Sequence, residues 1–227
     1  MAPAPTEEVL ATARRHAAEQ GVEVAFESGD VYALGYDDAS FDVVHAHRVL
    51  QHLSNPVAAL KEMRRVTRPG GIVAVRDGDY SCFSWAPLDP RLDRWQELYR
   101  AVARKNGGEP DAGRFLKRWA LEAGFSDMRV SSSTWTFADS ESCRWWGALW
   151  ADRCELSDLG DQIVKHGLAD RSELAAIVAR LLGAVSVGAQ RDPCRAVLIL
   201  DALSVLGIVD RGLADGGERR RFSAGKF

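Results

Sequence analysis

Cysteines are few in this sequence, and they are not spaced as metal ligands or redox pairs usually are. The 227 residues contain four cysteines, which are Cys82, Cys143, Cys154 and Cys194. A zinc site or a disulfide framework uses cysteines at short intervals, and no C-x-x-C pair occurs here. We therefore expect no bound metal and a reducing compartment, the cytoplasm.

Long apolar runs and an excess of basic residues are also missing. The first ten residues, MAPAPTEEVL, are acidic and lack the apolar run of a secretory signal. The most apolar stretch, AVLILDALSVLGIV, is interrupted by Asp201 and Ser204 and is too short to span a bilayer. A net charge of −3 and a pI near 6.0 give no general attraction to nucleic acid or to anionic membranes. We expect a cytoplasmic protein that binds neither.

Apolar periodicity predicts alternating strands and helices in the first third of the chain and mostly helices after it. Early elements are a helix from Thr6 to Gln20, strands at 22–26 (VEVAF) and 41–47 (FDVVHAH), a helix that begins near Pro56, and a strand at 72–76 (IVAVR). Later elements are helices at 89–106, 111–123, 139–154, 157–166 and 170–183, and strands at 128–137 and 195–203. Alternation at these lengths is typical of a parallel α/β sheet.

Six short motifs between Glu8 and about Phe125 follow one another in a familiar order. They are EVLATAR, the GD-x-x-x-L step at Gly29-Asp30, DDASFDVV, RVLQHL, ALKEMRRVTRPGG, and EAGF at 122–125. Together they resemble the class I S-adenosylmethionine-dependent methyltransferases related to ubiquinone and menaquinone biosynthesis. The resemblance implies a seven-stranded sheet with helices on both faces, S-adenosyl-L-methionine as cofactor, and methyl transfer to a small-molecule substrate.

The resemblance assigns adenine binding to Asp30 and Val31. In the family, the acid of the GD step accepts a hydrogen bond from the adenine amino group, and the next backbone N–H reaches a ring nitrogen. A carboxylate is acceptor-only, and adenine presents an exocyclic donor beside a ring acceptor. Without the flanking motifs, Asp30 would be interpreted as the end of a strand in a turn.

One part of the family's cofactor site has no counterpart here. Family members carry a strand and a D-x-G-x-G-x-G turn before the segment that matches EVLATAR, and an acid at the end of the following strand binds the ribose hydroxyls. This sequence has no such turn, and Met-Ala-Pro-Ala-Pro stands where the acid is expected. The chain is a piece of a longer protein, or a degenerate homologue that does not bind the cofactor, or it has the gap filled by a partner chain or by AVLILDALSVLG. We favour the first account because the other motifs are intact.

The expected fold is α/β, with a Rossmann-like methyltransferase sheet that is N-terminally incomplete and a helical C-terminal addition. We expect the truncated domain at 1–137, the helical addition with a last strand at 138–209, and a flexible tail at 210–227. Missing central strands leave a sheet edge unpaired, which invites association. A homo-oligomer through this edge is therefore expected, and a non-catalytic paralogue or subunit is the alternative to an enzyme.

Candidate catalytic residues lie at and after the carboxyl end of the second predicted strand, because parallel sheets bind ligands at their carboxyl ends. His47 ends the strand at 41–47, and His52 lies on the turn after it. An imidazole titrates near neutral pH and suits the role of general base. We predict His47 and His52 as catalytic, with His47 also contacting the cofactor. A hydrogen-bonded structural histidine is the favoured alternative for His45 and His52, and stays open for His47.

Polar residues also follow the strand at 72–76, and we predict that they bind the substrate. These are Arg76, Asp77, Asp79 and Tyr80; ordinary loop polarity is an equal alternative. Asp111, at the start of a predicted helix, is explained by capping.

Tryptophans are numerous, with seven in the chain. Trp85, Trp95, Trp145, Trp146 and Trp150 could wall a pocket for a flat acceptor. Their helical spacing favours the alternative, in which they pack the added helices onto the sheet.

Overall fold

Residues 7–183 and the backbone of 198–209 are described by a computed structural model. They form one mixed sheet with helices packed against it. The strands are β1 (Phe41–His47), β2 (Thr67–Gly78), β3 (Ser84–Ala86), β4 (Met128–Phe137) and β5 (Leu198–Val209). The helices are α1 (Glu7–Glu19), α2 (Pro56–Val66), α3 (Pro90–Lys105), α4 (Leu116–Glu122), α5 (Ser140–Leu156), α6 (Asp158–Lys165) and α7 (Arg171–Gly183).

The sheet combines one parallel pair with antiparallel neighbours. β1 and β2 run parallel, with His47 opposite Arg76 at their carboxyl ends. β5 runs antiparallel to β2, β3 and β4. Because β2 and β4 pair with the same stretch of β5, β5 lies between them. Because β1 and β2 are parallel neighbours, their carboxyl ends meet at one edge of the sheet, as the sequence predicts.

Helix starts follow their capping residues. The side chain of Asn55 accepts a hydrogen bond from the Ala58 N–H at 3.0 Å, and Pro56 occupies the first turn of α2. Asp139 accepts from the backbone N–H groups of Glu141 and Ser142 in the same way at α5. These caps fix where the helices begin, close to the predicted positions.

Buried tryptophans join the C-terminal helices to the sheet. Large aromatic side chains form one core, the aromatic cluster: Tyr80, Phe83, Trp85, Trp95, Trp146 and Trp150. Trp95 makes edge-on contacts with Trp146 and Trp150, at centroid distances of 5.2 and 4.6 Å. The packing interpretation is confirmed for these four tryptophans, whereas Trp145 is 56% exposed.

Three predicted elements differ from the structure. VEVAF at 22–26 forms no strand, and Val22 and Val24 are each 54% exposed; alternation alone does not make a strand without a neighbour to bond. The helix predicted at 111–123 starts as a 3₁₀ turn, Ala112–Phe115, and becomes α-helical only at Leu116. The last strand runs to Val209 rather than 203. Residues 195–197 and the predicted tail at 210–227 lie outside the described residues.

The outer edge of β1 has no strand beside it within the described residues, since the only strand paired with β1 there is β2. The described sheet has five strands, against the seven that the resemblance implies. The alternative in which AVLILDALSVLG fills the gap is wrong, because the described part of this segment, residues 198–207, lies in β5, on the far side of β2. The apolar residues of β1 do not make it a buried strand: of its residues only Ala46 is buried, and Val43 is 56% exposed.

Candidate functional site

An open cleft of about 540 Å³ lies where β1 and β2 end. The turns after these strands form one wall, and the helices α3, α5 and α6 supply the others. The lining residues are Arg48, Gln51, His52, Tyr80, Tyr99, Val102, Ala103, Asn106, Gly108, Arg153, Ser157, Leu159 and Gln162. The cleft thus occupies the position at which parallel sheets bind ligands.

Arg48 is fixed against the wall of the cleft by its backbone and its side chain. Its φ of +56° lies in the left-handed region, and its N–H donates to the Arg76 carbonyl at 2.7 Å. Its guanidinium donates to the Tyr80 hydroxyl and lies 5.4 Å from the centre of the Tyr80 ring. The sharp turn after β1 therefore points a cation into the space in front of the sheet.

Asp77 and Gln51 form a buried polar pair behind the cleft. Asp77 is fully buried, and its Oδ1 accepts a hydrogen bond from the Gln51 N–H at 3.3 Å. Burial raises the pKa of the Asp77 carboxyl to about 7. Asp77 Oδ2 and Gln51 Oε1 are buried without a hydrogen-bond partner in the described part of the chain. The Asp77 carboxyl is therefore partly protonated at neutral pH.

His52 lines the cleft, whereas His47 is not among the lining residues. The side-chain amide of Gln51 lies 2.9 Å from His52 Nε2. His52 is exposed to solvent on the side that faces the open cleft. Protein packed around the imidazole still lowers its pKa by desolvation, and the nearby charges of Arg48 and Arg153 lower it further. The imidazole is therefore neutral at pH 7.

His47 lies on the exposed side of β1, with its ring centroid 6.4 Å from that of His45. Desolvation is the main cause that lowers the pKa of His47, and the charges of Arg76, Arg48 and His45 lower it further. The structure thus brings His52, but not His47, together with the cleft.

Two of the residues predicted to bind substrate are engaged elsewhere. Asp79 is buried and accepts two hydrogen bonds from the Arg114 guanidinium, at 2.7 and 2.8 Å. Arg76 extends over β4, where its guanidinium lies 5.1 Å from the centre of the Trp135 ring and 3.4 Å from Ser133 Oγ. Of the four predicted residues, Tyr80 lines the cleft and Asp77 lies behind it.

Asp111 is a buried ion-pair partner rather than a helix cap. Its side chain caps no helix and instead accepts from the Ser81 N–H at 2.8 Å. Its Oδ2 lies 2.6 Å from a guanidinium nitrogen of both Arg100 and Arg104. The capping explanation is therefore wrong, and Asp111 ties α3 to the loop after β2.

Asp30 and Val31 form a turn beside the start of α2, outside the cleft. Asp30 is exposed, and its Oδ1 accepts from the Tyr32 N–H at 2.9 Å. The Tyr32 hydroxyl in turn accepts from the Asn55 N–H at 3.2 Å. Val31 packs against the apolar cluster that contains Leu50. This turn is anchored on both sides and leaves the Asp30 carboxylate accessible to solvent.

Sequence reasoning missed most of the lining residues, among them Tyr99, Arg153 and Gln162. These three belong to α3, α5 and α6, which lie far along the chain from the strands that they face. No local motif marks them, because their positions depend on how the C-terminal helices pack.

Neither a metal cluster nor a membrane span is found among the described residues. In residues 7–183, no three His, Cys, Asp or Glu side chains are grouped so as to hold a metal ion. The helices of the described ranges are all too short or too polar to cross a bilayer.

Comparison with known sequences finds similarity to methyltransferases. The family model described as "Methyltransferase domain" matches residues 2–75. An uncharacterized methyltransferase of Schizosaccharomyces pombe is 38% identical over 157 residues, which is 64% of this chain and 55% of that protein. A ubiquinone/menaquinone biosynthesis C-methyltransferase of Bdellovibrio bacteriovorus is 48% identical over 68 residues, 30% of this chain and 29% of the relative. The chain thus spans about half or less of the length of these relatives.

Structural comparison supports the fold. The crystal structure of a candidate methyltransferase of Bacillus halodurans aligns with a TM-score of 0.53 at 19% sequence identity. The alignment covers 91% of this chain and 80% of the other. The shared feature is a Rossmann-like α/β sheet followed here by a helical C-terminal portion.

Proposed function

Because this chain belongs to the class I S-adenosylmethionine-dependent methyltransferases, we propose that it transfers a methyl group to a small molecule held in the 540 Å³ cleft. The observation that carries the proposal is the neutral imidazole of His52 at the edge of that cleft, where β1 and β2 end. A volume of this size lies within the range of roughly 300–1,000 Å³ found for small-molecule sites. The C-methyltransferase relative, which by its name serves quinone biosynthesis, supports a flat acceptor that Tyr80 and Tyr99 would contact.

The residues present fit one end of the cofactor. Asp30 offers an accessible carboxylate for the adenine amino group, and Val31 follows it in an anchored turn. The sequence contains no D-x-G-x-G-x-G turn for the other end. When bound, the cofactor supplies an electrophilic methyl group on a sulfonium. The chain itself supplies the adenine contact and the acceptor cleft.

His52 is assigned as the general base. A neutral imidazole accepts a proton from an acceptor hydroxyl or amine as the nucleophile reacts. Its lowered pKa keeps it unprotonated at pH 7, so the base is ready before the acceptor binds. We therefore prefer His52 over His47, which does not line the cleft.

Calorimetric titration with S-adenosyl-L-methionine tests the cofactor assignment. We expect Asp30→Ala to weaken binding about tenfold, because it removes a charged hydrogen-bond acceptor. Asp37→Ala, in the same exposed loop, is the matched control and should bind as the wild type does. Equal binding by all three proteins would contradict the role of Asp30, and no binding by a folded wild type would contradict cofactor use by this chain.

Association is a second candidate function, favoured by the outer edge of β1. The strand has no neighbour on that side within the described residues, and Val43 there is 56% exposed. An open strand edge can pair with another chain. A non-catalytic subunit would use this edge and would not bind the cofactor.

A further inference from the structure

Gln51 is a buried polar residue at the cleft, and its backbone is held on two sides. The residue lines the cleft, yet only 3% of it is exposed. Its N–H donates to Asp77 Oδ1 at 3.3 Å, and its carbonyl accepts from the Glu109 N–H at 2.9 Å. Gly108 lies so close that an added Cβ would be 2.5 Å from the Gln51 carbonyl oxygen. The side-chain amide of Gln51 therefore extends from a fixed point.

This amide occupies one ring nitrogen of His52. The amide nitrogen lies 2.9 Å from His52 Nε2, so Nδ1 is the ring nitrogen that the contact leaves for a ligand. In a neutral imidazole one nitrogen carries the proton and the other accepts one. A base that acts through Nδ1 must therefore carry its proton on Nε2, and an Nε2–H group beside Gln51 needs an acceptor there.

The oxygen of the Gln51 amide is suited to be that acceptor. The oxygen and the NH₂ group of an amide have nearly the same shape, so a half-turn of the amide exchanges their places. With the nitrogen toward His52, Gln51 Oε1 is buried and has no hydrogen-bond partner within the described ranges. A buried acceptor without a donor is destabilising. The half-turn gives the Nε2–H of His52 its acceptor and removes the unpaired oxygen.

The same half-turn places N–H donors on the side of Asp77. The position of Gln51 Oε1 is 3.5 Å from where a Cβ on Gly78 would lie, and Gly78 follows Asp77. Asp77 Oδ2 is buried and, among the residues that the structure describes, has no hydrogen-bond partner either. An amide N–H group at this position is the kind of donor that two buried, unpaired oxygens call for.

We propose that Gln51 is a positioning residue whose amide oxygen accepts from the Nε2–H of His52 and so keeps Nδ1 unprotonated as the base. The tautomer follows from the contacts of Gln51, whereas the role of base rests on the proposed function. During methyl transfer the O–H or N–H bond of the acceptor breaks and its proton goes to Nδ1. The electron pair of the nucleophile forms the bond to the methyl carbon, and the methyl–sulfur pair stays on sulfur. The imidazolium then carries a proton on both nitrogens, and Gln51 Oε1 stabilises it by accepting from one of them.

Nitrogen NMR of the wild type tests the tautomer without any ligand. The chain has five histidines, and the signals that are absent from His52→Asn identify those of His52. At about pH 8, above the ordinary pKa of an imidazole, we expect Nε2 to be protonated and Nδ1 to have the shift of a bare nitrogen. The Nε2–H proton should be visible, because a hydrogen bond slows its exchange with water. A proton on Nδ1 instead would overturn the proposal.

Substitutions of Gln51 test whether its amide is the cause. Gln51→Met has a similar length but no oxygen, so we expect the Nε2–H signal to disappear and both tautomers to be populated. Gln51→Glu keeps an acceptor and should keep the proton on Nε2. Gln162→Met is the matched control: Gln162 also lines the cleft, its amide oxygen accepts from Asn106 Nδ2 at 2.7 Å, and its loss should leave the signals of His52 unchanged.

Two results with these variants would contradict the proposal. One is a wild-type spectrum of His52 in Gln51→Met, and the other is a folded Gln51→Glu that behaves as Gln51→Met is expected to. If Gln51→Met does not fold, the tautomer of the wild type still decides.

This proposal and the proposed function fail separately. If S-adenosyl-L-methionine binds in an Asp30-dependent way but His52 carries its proton on Nδ1, the role of Gln51 fails and the methyltransferase proposal stands. If the proton lies on Nε2 and depends on Gln51 but the cofactor never binds, the tautomer assignment stands and the methyltransferase proposal fails.

Discussion

At the scale of single residues, the Asp77 carboxyl links the stability of the fold to pH. Its pKa in the folded protein, about 7, lies above its ordinary value of 3.8. Between these two pH values the folded protein keeps a proton that the unfolded chain releases. The contribution of Asp77 to the free energy of unfolding is therefore largest below pH 4 and is lost as pH rises toward 7.

Asp77→Asn removes this dependence. The asparagine has no proton to lose, and its side-chain oxygen can still accept from the Gln51 N–H. We expect the stability of the wild type relative to the variant to fall between about pH 4 and pH 7, by at most about 4 kcal/mol. Urea unfolding of both proteins at several pH values measures this difference in the free energy of unfolding. Parallel stability curves for the two proteins would contradict a raised pKa.

At the scale of elements, the contact between α5 and α6 shapes the cleft. Gly160, in α6, lies so close to α5 that an added Cβ would lie 2.0 Å from the Cys154 carbonyl oxygen. Its neighbours Leu159 and Gln162 line the cleft. The glycine therefore lets α6 approach closely enough to form a wall.

Gly160→Ala should push α6 away from α5. We expect a loss of about 2 kcal/mol in the free energy of unfolding, because a Cβ inserted against a backbone carbonyl forces a backbone shift. Gly183→Ala in α7 is the matched control, since a Cβ there meets nothing within 4 Å, and it should leave stability unchanged or slightly raised. Urea denaturation compares the two, and equal effects would show that α6 is not tightly held.

Elements with strong local signals could be predicted from the sequence. Asn55-Pro56 starts α2, and the strand predicted at 128–137 forms over the same residues. The strand predicted at VEVAF does not form, because a strand needs a hydrogen-bonded neighbour and the residues of the segment do not show whether one is present. The cleft was predictable only on the side where the turns after β1 and β2 carry His52 and Tyr80. Arg153 and Tyr99 reach it through helix packing, which no short motif encodes.

At the scale of the whole molecule, we propose that two copies of the chain meet through the outer edge of β1. Among the described residues this edge has no neighbouring strand and carries an exposed valine, Val43, whereas natural sheets often protect such edges with charged side chains. The second candidate function depends on this edge, and we propose that self-association of the isolated chain depends on it too.

Val43→Lys should reduce self-association. We expect the 227-residue chain to associate as its concentration rises, and a lysine on the edge strand to oppose pairing. Leu121→Lys, at a residue of α4 that is 53% exposed, is the control and should associate as the wild type does. Sedimentation velocity over a range of concentrations measures this. A wild type that stays monomeric throughout would rule out association through β1.

The backbone conformation of Arg48 matters for ligand binding as well as its charge. A residue other than glycine at φ +56° carries backbone strain of about 1–2 kcal/mol. The chain meets this cost when it folds, so the arginine has less freedom left to lose when a ligand arrives. A glycine here would relax the turn and remove the cation together. Selection for a sturdier fold and selection for tighter recognition therefore oppose each other at this position.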